Sequence, residues 1–466
     1  MPDGAIWESD PDLTAEAEAE RELHRAAQLE VADARPPEFS DEALALRFTA
    51  KHKGEARYVA AWGAWLLWDG SRWVFDKTMR AFDLARMVAR VASAEANDKI
   101  AASVASAKTV AAIVSLARAD RRHAATVEQW DTDAWVMNTP GGIIDLRTGA
   151  TLPHAPERYI TKITAVAPGG DCPRWCQFLA EITGGDVELQ QFLQRIAGYS
   201  LTGSTREHAL FFAYGTGGNG KGVFLNTLTA ILAGYAAVAP METFVATRHE
   251  GHPTDLAGLR GARLVSSQET EQGRRWAESK IKTLTGGDPV TARFMRQDFF
   301  TYQPAFKLVI AGNHKPGLRG VDEAIRRRFF LLPFTITISA PDKELPDKLR
   351  EEWPGILQWA IQGCLEWQRI GLAAPAVVRQ ATEAYLTAED AVAQWMDENC
   401  ALDRVYTERS AILFANWKDW SEAAGEFVGS QKRFAQALED HGFDRFHDSR
   451  TRQAMFRGIT LRPGLS

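Results

Sequence analysis

Residues 211–232, FFAYGTGGNGKGVFLNTLTAIL, decide the fold, because a short apolar stretch runs directly into a glycine-rich loop and then into a helical pattern. In such a unit, glycines let backbone N–H groups curl around phosphate oxygens, the helix presents its positive end, and the lysine reaches the outer phosphates. The stretch therefore predicts a phosphate loop made of Gly215, Thr216, Gly217, Gly218, Asn219, Gly220, Lys221 and Gly222. A glycine-rich surface turn with an incidental lysine is the alternative, and the flanking strand and helix count against it.

One position departs from the usual loop. Gly222 stands where Ser or Thr would supply a hydroxyl to magnesium. Mg²⁺ keeps water ligands readily, so a water beside Gly222 can replace the hydroxyl. We expect ATP and Mg²⁺ as cofactors, and nucleotide binding without turnover stays open as the alternative.

Short continuous apolar runs surround this loop and predict strands buried on both faces, which indicates an α/β core. They lie at 209–214, 263–267, 307–312 and 329–334. The second run continues as RLVSSQETE, so Glu269 is our first choice for the catalytic carboxylate that holds magnesium through water, with Glu271 as its partner. Two exposed glutamates at a helix start are the alternative, since acids are favoured there.

Two further segments suit a hydrolytic site. The run KLVIAGNHKP ends in Asn313, whose amide could sense the γ-phosphate, although Asn before a proline turn is common in loops. Arg327 and Arg328 precede the last strand, and an arginine projected onto a neighbouring subunit's nucleotide would stabilise transition-state charge. A solvated basic run is the alternative.

Between these motifs, KIKTLTGGDPVTARFMRQDFFTYQPAFK predicts a helix, a glycine turn and a hairpin. Basic residues interleaved with aromatics suit a surface that grips a nucleic-acid backbone, although many solvent-facing hairpins have this composition too. The candidate DNA-binding residues are Lys282, Arg293, Phe294 and Arg296.

The chain of 466 residues is too long for one ordinary core and divides into five predicted segments. These are an acidic, flexible extension at 1–54; a mixed α+β N-terminal domain at 55–168; the motor at 169–340, with a helical collar at 173–202; a helical segment at 341–400; and a small winged-helix-like domain at 401–466. Residues 1–50 carry a net charge of −9, whereas the whole chain carries −6. The remaining residues are therefore mildly basic, and the net charge of the chain does not exclude DNA binding.

Composition predicts a cytoplasmic protein. No apolar run approaches the roughly 18 residues that span a bilayer, and the first residues do not read as a secretory signal. Four scattered cysteines are too few for a disulfide framework. Cys172 and Cys176 have a C-x3-C spacing, but without a second ligand pair they are interpreted as ordinary thiols.

Taken together, GTGGNGKG, RLVSSQETE, the TGGD-to-ARFMRQ segment, KLVIAGNHKP and AIRRRFFLLPF resemble, in order and spacing, the superfamily 3 helicases, and most of all the primase-helicases of phages, plasmids and poxviruses. WLLWDGSRWVF and NTPGGIIDLRTG are similar to the domain that precedes the motor in that family. The resemblance implies an AAA+-like motor that assembles as a homo-hexamer and translocates 3′-to-5′ on single-stranded DNA at forks.

Carried onto this sequence, the resemblance assigns Lys221 to the phosphates, Glu269 and Glu271 to magnesium and water, and Asn313 to sensing. It assigns Arg328 to the trans finger, with Arg327 as the other choice, and residues 290–306 to the DNA channel. Only about 50 acidic residues stand where the family's larger members carry a primase, so no primer synthesis is expected.

The favoured function is an ATP-dependent DNA helicase of a phage, plasmid or integrated element that works with replication proteins of the element or its host and with no membrane. A nucleotide-gated DNA-loading assembly with little unwinding is the alternative, and Gly222 favours it. A small-molecule kinase would leave the arginine run and the hairpin without a role. In the C-terminal domain, Lys432 and Arg433 either contact DNA or serve subunit docking.

Overall fold

The computed structural model describes residues 36–247, 254–268, 273–295, 298–318 and 320–462. Within them the contacts divide into two compact units: residues 36–130 with 156–159, and residues 131–155 with 160–462. The boundary predicted at residue 168 differs from this division. Met137 and Ile144 are buried in the same core as helices of the second unit, so the strands that carry them belong there.

The first unit combines four helices with a small antiparallel sheet. The helices are α1 (Asp41–His52), α2 (Arg80–Glu95), α3 (Asp98–Val104) and α4 (Ala107–Ala119), and the strands are β1 (Ala56–Val59), β2 (Ala64–Trp68) and β3 (Trp73–Phe75), paired in that order. A turn joins β2 to β3, in which the Asp69 carboxylate accepts hydrogen bonds from the backbone N–H groups of Ser71 and Arg72.

Helix α1 starts this unit earlier than the sequence pattern predicts. Leu44 and Phe48 are fully buried and pack in one core with Trp65, and Ser40 caps the helix by accepting from the Ala43 N–H. The predicted flexible extension therefore ends before residue 54. Its first 35 residues lie outside the part of the chain that the structure describes.

The second unit is built on a parallel five-stranded sheet. Its strands are β7 (Leu210–Tyr214), β8 (Ala236–Val238), β9 (Leu264–Gln268), β12 (Lys307–Gly312) and β13 (Phe329–Pro333), in the order β13-β7-β12-β9-β8. Alternate residues of β7 enter different cores: Phe211 packs on one face of the sheet and Phe212 on the other. Both faces are thus covered, as the continuous apolar runs predicted, and the architecture fits an α/β nucleotide-binding-like domain.

Helices, a small three-stranded sheet (β4-β5-β6) and a hairpin (β10-β11) complete the central part of this unit. Ahead of the sheet lie β4 (Val136–Thr139), β5 (Gly142–Asp145), β6 (Ala150–Leu152), α5 (Pro173–Thr183) and α6 (Val187–Leu201). Within it come α7 (Lys221–Leu232), α8 (Thr254–Ala257), α9 (Glu278–Gly286), the hairpin β10 (Val290–Ala292) and β11 (Phe300–Tyr302), and α10 (Glu323–Arg326). The helices α11 (Leu345–Glu351), α12 (Trp353–Ile370) and α13 (Ala376–Ala388) follow.

The C-terminal part has its own small core. The elements run α14 (Ala391–Asn399), β14 (Cys400–Arg409), α15 (Ser410–Ala424), α16 (Gln431–Asp440), β15 (Asp444–His447) and β16 (Ala454–Leu461), and the sheet order is β14-β16-β15. Trp395 of α14 is fully buried in this core with Trp417 and Phe434. The core therefore includes α14, which the sequence pattern had placed in the preceding helical segment.

Among the described residues, no single helix has the length and apolar character to cross a membrane. One adjoining pair, Asp98–Val104 and Ala107–Ala119, reaches them only together and is bent by 61°.

Candidate nucleotide and nucleic-acid sites

The carboxyl ends of three parallel strands meet at one edge of the central sheet. In the register, Gly312 of β12 lies opposite Tyr214 of β7, and Ala311 lies opposite Gln268 of β9. The glycine loop, Asn313 and Gln268 therefore begin at neighbouring positions. In open α/β sheets this edge is where ligands bind.

Glycine is required in the loop between β7 and α7 for two different reasons. Gly217, Gly218 and Gly220 have φ angles of 104°, 61° and 81°, which side chains of L-residues rarely adopt. At Gly215 the reason is space, since a Cβ there would lie 2.0 Å from the carbonyl oxygen of Phe334. No side chain caps the first turn of α7. Its backbone N–H groups are thus left to face an anion.

The Lys221 ammonium is held at the mouth of this loop entirely by neutral oxygens. Its Nζ donates to Gly215 O at 2.7 Å, to Asn219 Oδ1 at 2.9 Å and to Asn313 Oδ1 at 3.3 Å. Asn219 is fixed in turn, because its Nδ2 donates to Phe334 O at 2.6 Å. Burial lowers the pKa of Lys221. A negatively charged ligand would supply the counter-charge that these oxygens do not.

The structure thus brings Lys221, Asn219 and Asn313 together, although Asn313 lies 92 residues further along the chain than Lys221. Glu269 and Glu271, the predicted carboxylates, lie outside the described residues. Within the described ranges, no group of three or more His, Cys, Asp and Glu side chains is placed to hold a metal ion.

Gln268 and Asn226 are polar side chains at this edge that sequence reasoning missed. Gln268 Nε2 donates to Asn226 Oδ1 at 2.7 Å, and a Cβ at Gly222 would lie 3.6 Å from Gln268 Oε1. Gln268 directly precedes Glu269, so the RLVSSQETE motif contains it, although the sequence analysis did not select it as a site residue. The contact to α7 spans 42 residues of sequence and leaves no local signal.

The three arginines ahead of β13 have different surroundings. Arg326 forms ion pairs with Glu383 at 2.9 Å and Asp390 at 3.4 Å. Arg328 is only 7% exposed; its Nε donates to Thr285 Oγ1 at 3.3 Å and its Nη1 to a carbonyl of α10 at 2.8 Å. Burial, and then the charge of Arg327, lower the pKa of Arg328. Arg327 is the exposed member of the run.

The hairpin β10–β11 presents aromatic and basic side chains to solvent. Phe294 stacks on Phe300 with ring centroids 5.6 Å apart, and the Arg293 guanidinium lies 4.7 Å from the ring centre of Phe299. Phe299 is 59% exposed and Met295 is 70% exposed, and neither had been singled out from the sequence. An exposed strip of this kind is available for stacking against bases.

The two remaining predicted DNA contacts are not found on the described part of the hairpin. Arg296 lies outside the described residues. Lys282 lies on α9 rather than on the hairpin, where it forms an ion pair with Asp322. Its charge is therefore partly neutralised within the chain.

Helix α16 is exposed on its polar face, and part of that face borders a cavity of about 730 Å³. The cavity is also lined by α9, Leu318 and residues 320–322. Lys432 and Arg433 line it with Lys282 and His441, against the carboxylates of Glu278, Asp288, Asp322, Asp390, Glu426 and Asp440. With more acidic than basic side chains, this cavity disfavours a phosphate backbone.

Comparison with known proteins gives two family matches and two viral relatives. The model of the D5 N terminal like family matches residues 45–184, and that of a family of unknown function (DUF5906) matches residues 213–328. "Putative helicase 022R" of Frog virus 3 (isolate Goorha) is 24% identical over 260 residues, covering 51% of this chain and 27% of that protein. "Putative helicase L207/L206" of Acanthamoeba polyphaga mimivirus is 22% identical over 262 residues, covering 50% and 27%.

These matches make residues 45–184 similar to the D5 N terminal like family and about half of the chain similar to two viral proteins named as putative helicases. The chain spans about a quarter of the length of the curated relatives that it matches.

Solved structures of the NrS-1 C terminal region align along most of the chain. One apo structure (residues 305–718) gives a TM-score of 0.47 at 11% identity, covering 90% of this chain and 99% of that one. The A form apo structure gives 0.48 at 9% identity, covering 90% and 100%.

Proposed function

We propose that this chain is an ATP-dependent DNA helicase of superfamily 3, whose AAA+-like motor is the second unit. The observation that carries the proposal is the position of Lys221, which is buried at the mouth of a glycine loop with Asn219 and Asn313 as its partners. A cation held only by neutral oxygens at the amino end of a helix suits the phosphates of a nucleotide.

ATP is the anion that we propose for this site. Phosphates would replace the neutral partners of Lys221, and Asn313 would then be freed to contact the γ-phosphate as a sensor. Mg²⁺, when bound, neutralises charge on the phosphates. Glu269, with Glu271 beside it, remains our candidate for positioning the attacking water, since it follows Gln268 at the end of β9.

We assign the trans finger to Arg327 rather than to Arg328. Arg328 is buried and donates to its own chain, so reaching a neighbour would require it to break those hydrogen bonds. Arg327 is exposed and one residue away. Hydrolysis then requires a ring, which we propose to be a homo-hexamer with head-to-tail contacts.

DNA would pass along the hairpin β10–β11. Phe294 and Phe299 offer faces for stacking, and Arg293 offers a charge for the backbone. We propose that the C-terminal part, whose elements run α14-β14-α15-α16-β15-β16, is a winged helix. Because α16 lines a cavity with excess carboxylates, we favour docking over DNA contact for Lys432 and Arg433.

The proposal is tested by ATP hydrolysis measured with and without single-stranded DNA, on protein whose assembly state is known from light scattering. Wild type should hydrolyse ATP faster with DNA, whereas Lys221→Ala should lose both nucleotide binding and hydrolysis. Lys418→Ala, which removes an exposed lysine on α15, is the matched control and should behave as wild type. DNA-stimulated turnover in Lys221→Ala would refute the proposal.

A nucleotide-gated DNA-loading assembly is the second candidate, and Gly222 is the observation that favours it. The described part of the site offers no hydroxyl in the place of the usual Ser or Thr. This candidate predicts ATP-dependent DNA binding by wild type without DNA-stimulated hydrolysis.

A further inference from the structure

Neither the backbone nor crowding demands a glycine at position 222. Its φ is not in the left-handed region, and a Cβ built there would meet one atom within 4 Å, Gln268 Oε1, at an ordinary contact distance of 3.6 Å. The chain thus leaves the space next to Lys221 open on the side that faces β9.

The side chain that borders this open space is oriented by a second amide. Asn226 follows Gly222 by one helical turn, so the two share a face of α7. Its Oδ1 accepts a hydrogen bond from Gln268 Nε2 at 2.7 Å. This bond engages the amide nitrogen of Gln268, and the amide oxygen is left as the atom that borders position 222.

An amide oxygen can do what the missing hydroxyl does. Mg²⁺ binds oxygen ligands, retains several waters and is commonly held by few protein groups together with substrate phosphates. We propose, on the basis of the function proposed above, that Gln268 replaces the absent hydroxyl and holds the Mg²⁺ of the bound nucleotide, directly or through a water. Asn226 is the positioning residue that aims the Gln268 oxygen.

The test compares the affinity for a fluorescent ADP analogue in Mg²⁺ with the affinity in EDTA, so it does not depend on turnover. Wild type should bind more tightly in Mg²⁺. Gln268→Ala should lose this Mg²⁺-dependent gain, a loss of roughly 10-fold in affinity, and should retain its affinity in EDTA. Gln436→Ala, an exposed glutamine on α16, is the control and should bind as wild type does.

Two further variants separate metal binding from a merely structural role. The double variant Gln268→Ala with Gly222→Ser should regain the Mg²⁺-dependent gain, because the serine hydroxyl returns to the position that other phosphate loops use. Gln268→Glu keeps an oxygen at the same place and should also retain the gain.

Each remaining outcome overturns the inference. Equal Mg²⁺ dependence in wild type and Gln268→Ala would show that Gln268 does not hold the metal. Loss of affinity in both Mg²⁺ and EDTA, unrepaired by Gly222→Ser, would show a structural role. A wild type that binds no nucleotide under either condition would overturn the proposed function as well, so the two failures are distinguishable.

Discussion

The neighbouring residues Arg327 and Arg328 should give opposite phenotypes when each is replaced by alanine. Arg328 is 7% exposed and makes two hydrogen bonds to its own chain. Buried hydrogen bonds to a charged group contribute about 1.5 to 3 kcal/mol each, and their loss is partly offset by relaxation, so we expect Arg328→Ala to cost about 3 kcal/mol. For a unit of this size, with an entropy of unfolding of about 2.1 cal/mol/K per residue, that lowers the melting temperature by roughly 4 °C.

Arg327→Ala should leave the melting temperature nearly unchanged, because surface substitutions away from special features change stability by about 0.5 kcal/mol or less. Its ATP hydrolysis should fall by roughly 10³-fold if the guanidinium completes a neighbour's site. A mixture of Arg327→Ala and Lys221→Ala subunits should recover activity, since some interfaces then combine an intact loop with an intact arginine.

Calorimetry and a steady-state ATPase assay on the same preparations distinguish the role of Arg327 from that of Arg328. A stable but inactive Arg328→Ala together with an active Arg327→Ala would refute the assignment. Failure of the mixed subunits to recover activity, with assembly intact by light scattering, would refute action in trans.

Two other predictions concern acid stability and DNA binding. Burial raises the pKa of Asp120, but hydrogen bonds from Arg122 outweigh burial and hold the pKa at about 2 against an ordinary 3.8. This stabilisation is complete above 3.8 and is lost as the pH falls towards 2. Asp120→Asn should therefore lower the free energy of unfolding by up to about 2 kcal/mol at pH 7 and flatten its decline below pH 4. Urea unfolding followed by tryptophan fluorescence measures this change. The control is Asp83→Asn, because Asp83 lies in an exposed ion pair. Phe299→Ala should weaken single-stranded DNA binding by about 1 to 3 kcal/mol, as measured by fluorescence anisotropy. The control is Met79→Ala, which removes another exposed apolar side chain and should not weaken binding. Equal losses in the two variants would contradict a specific role for the hairpin.

The sequence predicted the central sheet well because its signals are local. The run Leu210–Tyr214 is apolar at every position but the last, which is what burial on both faces of a sheet requires. Gly217, Gly218 and Gly220 mark the loop because only glycine adopts those φ angles easily. Asn313 was predicted to sense the γ-phosphate; its amide oxygen lies 3.3 Å from the Lys221 ammonium, and the sensing role stays a prediction.

Contacts between distant segments could not be predicted in the same way. The side chain of Gln268 at the end of β9 meets Asn226 on α7, the helix that follows β7. This contact depends on the sheet order, in which β12 lies between β7 and β9, and the sequence does not state that order. In the sequence, Arg327 and Arg328 are adjacent members of one basic run. Only the fold shows that Thr285 of α9 lies beside Arg328. Helix α1 was missed because it lies within the acidic stretch of residues 1–54, although Leu44 and Phe48 are fully buried.

The most direct measurement of the central claim is strand displacement from a forked DNA substrate by the assembled wild type, with ATP and Mg²⁺ present. We expect displacement that requires ATP, that depends on a single-stranded 3′ arm and that is absent in Lys221→Ala. Displacement that proceeds equally in Lys221→Ala, or an assembled wild type that hydrolyses ATP and binds the fork without separating its strands, would contradict the claim.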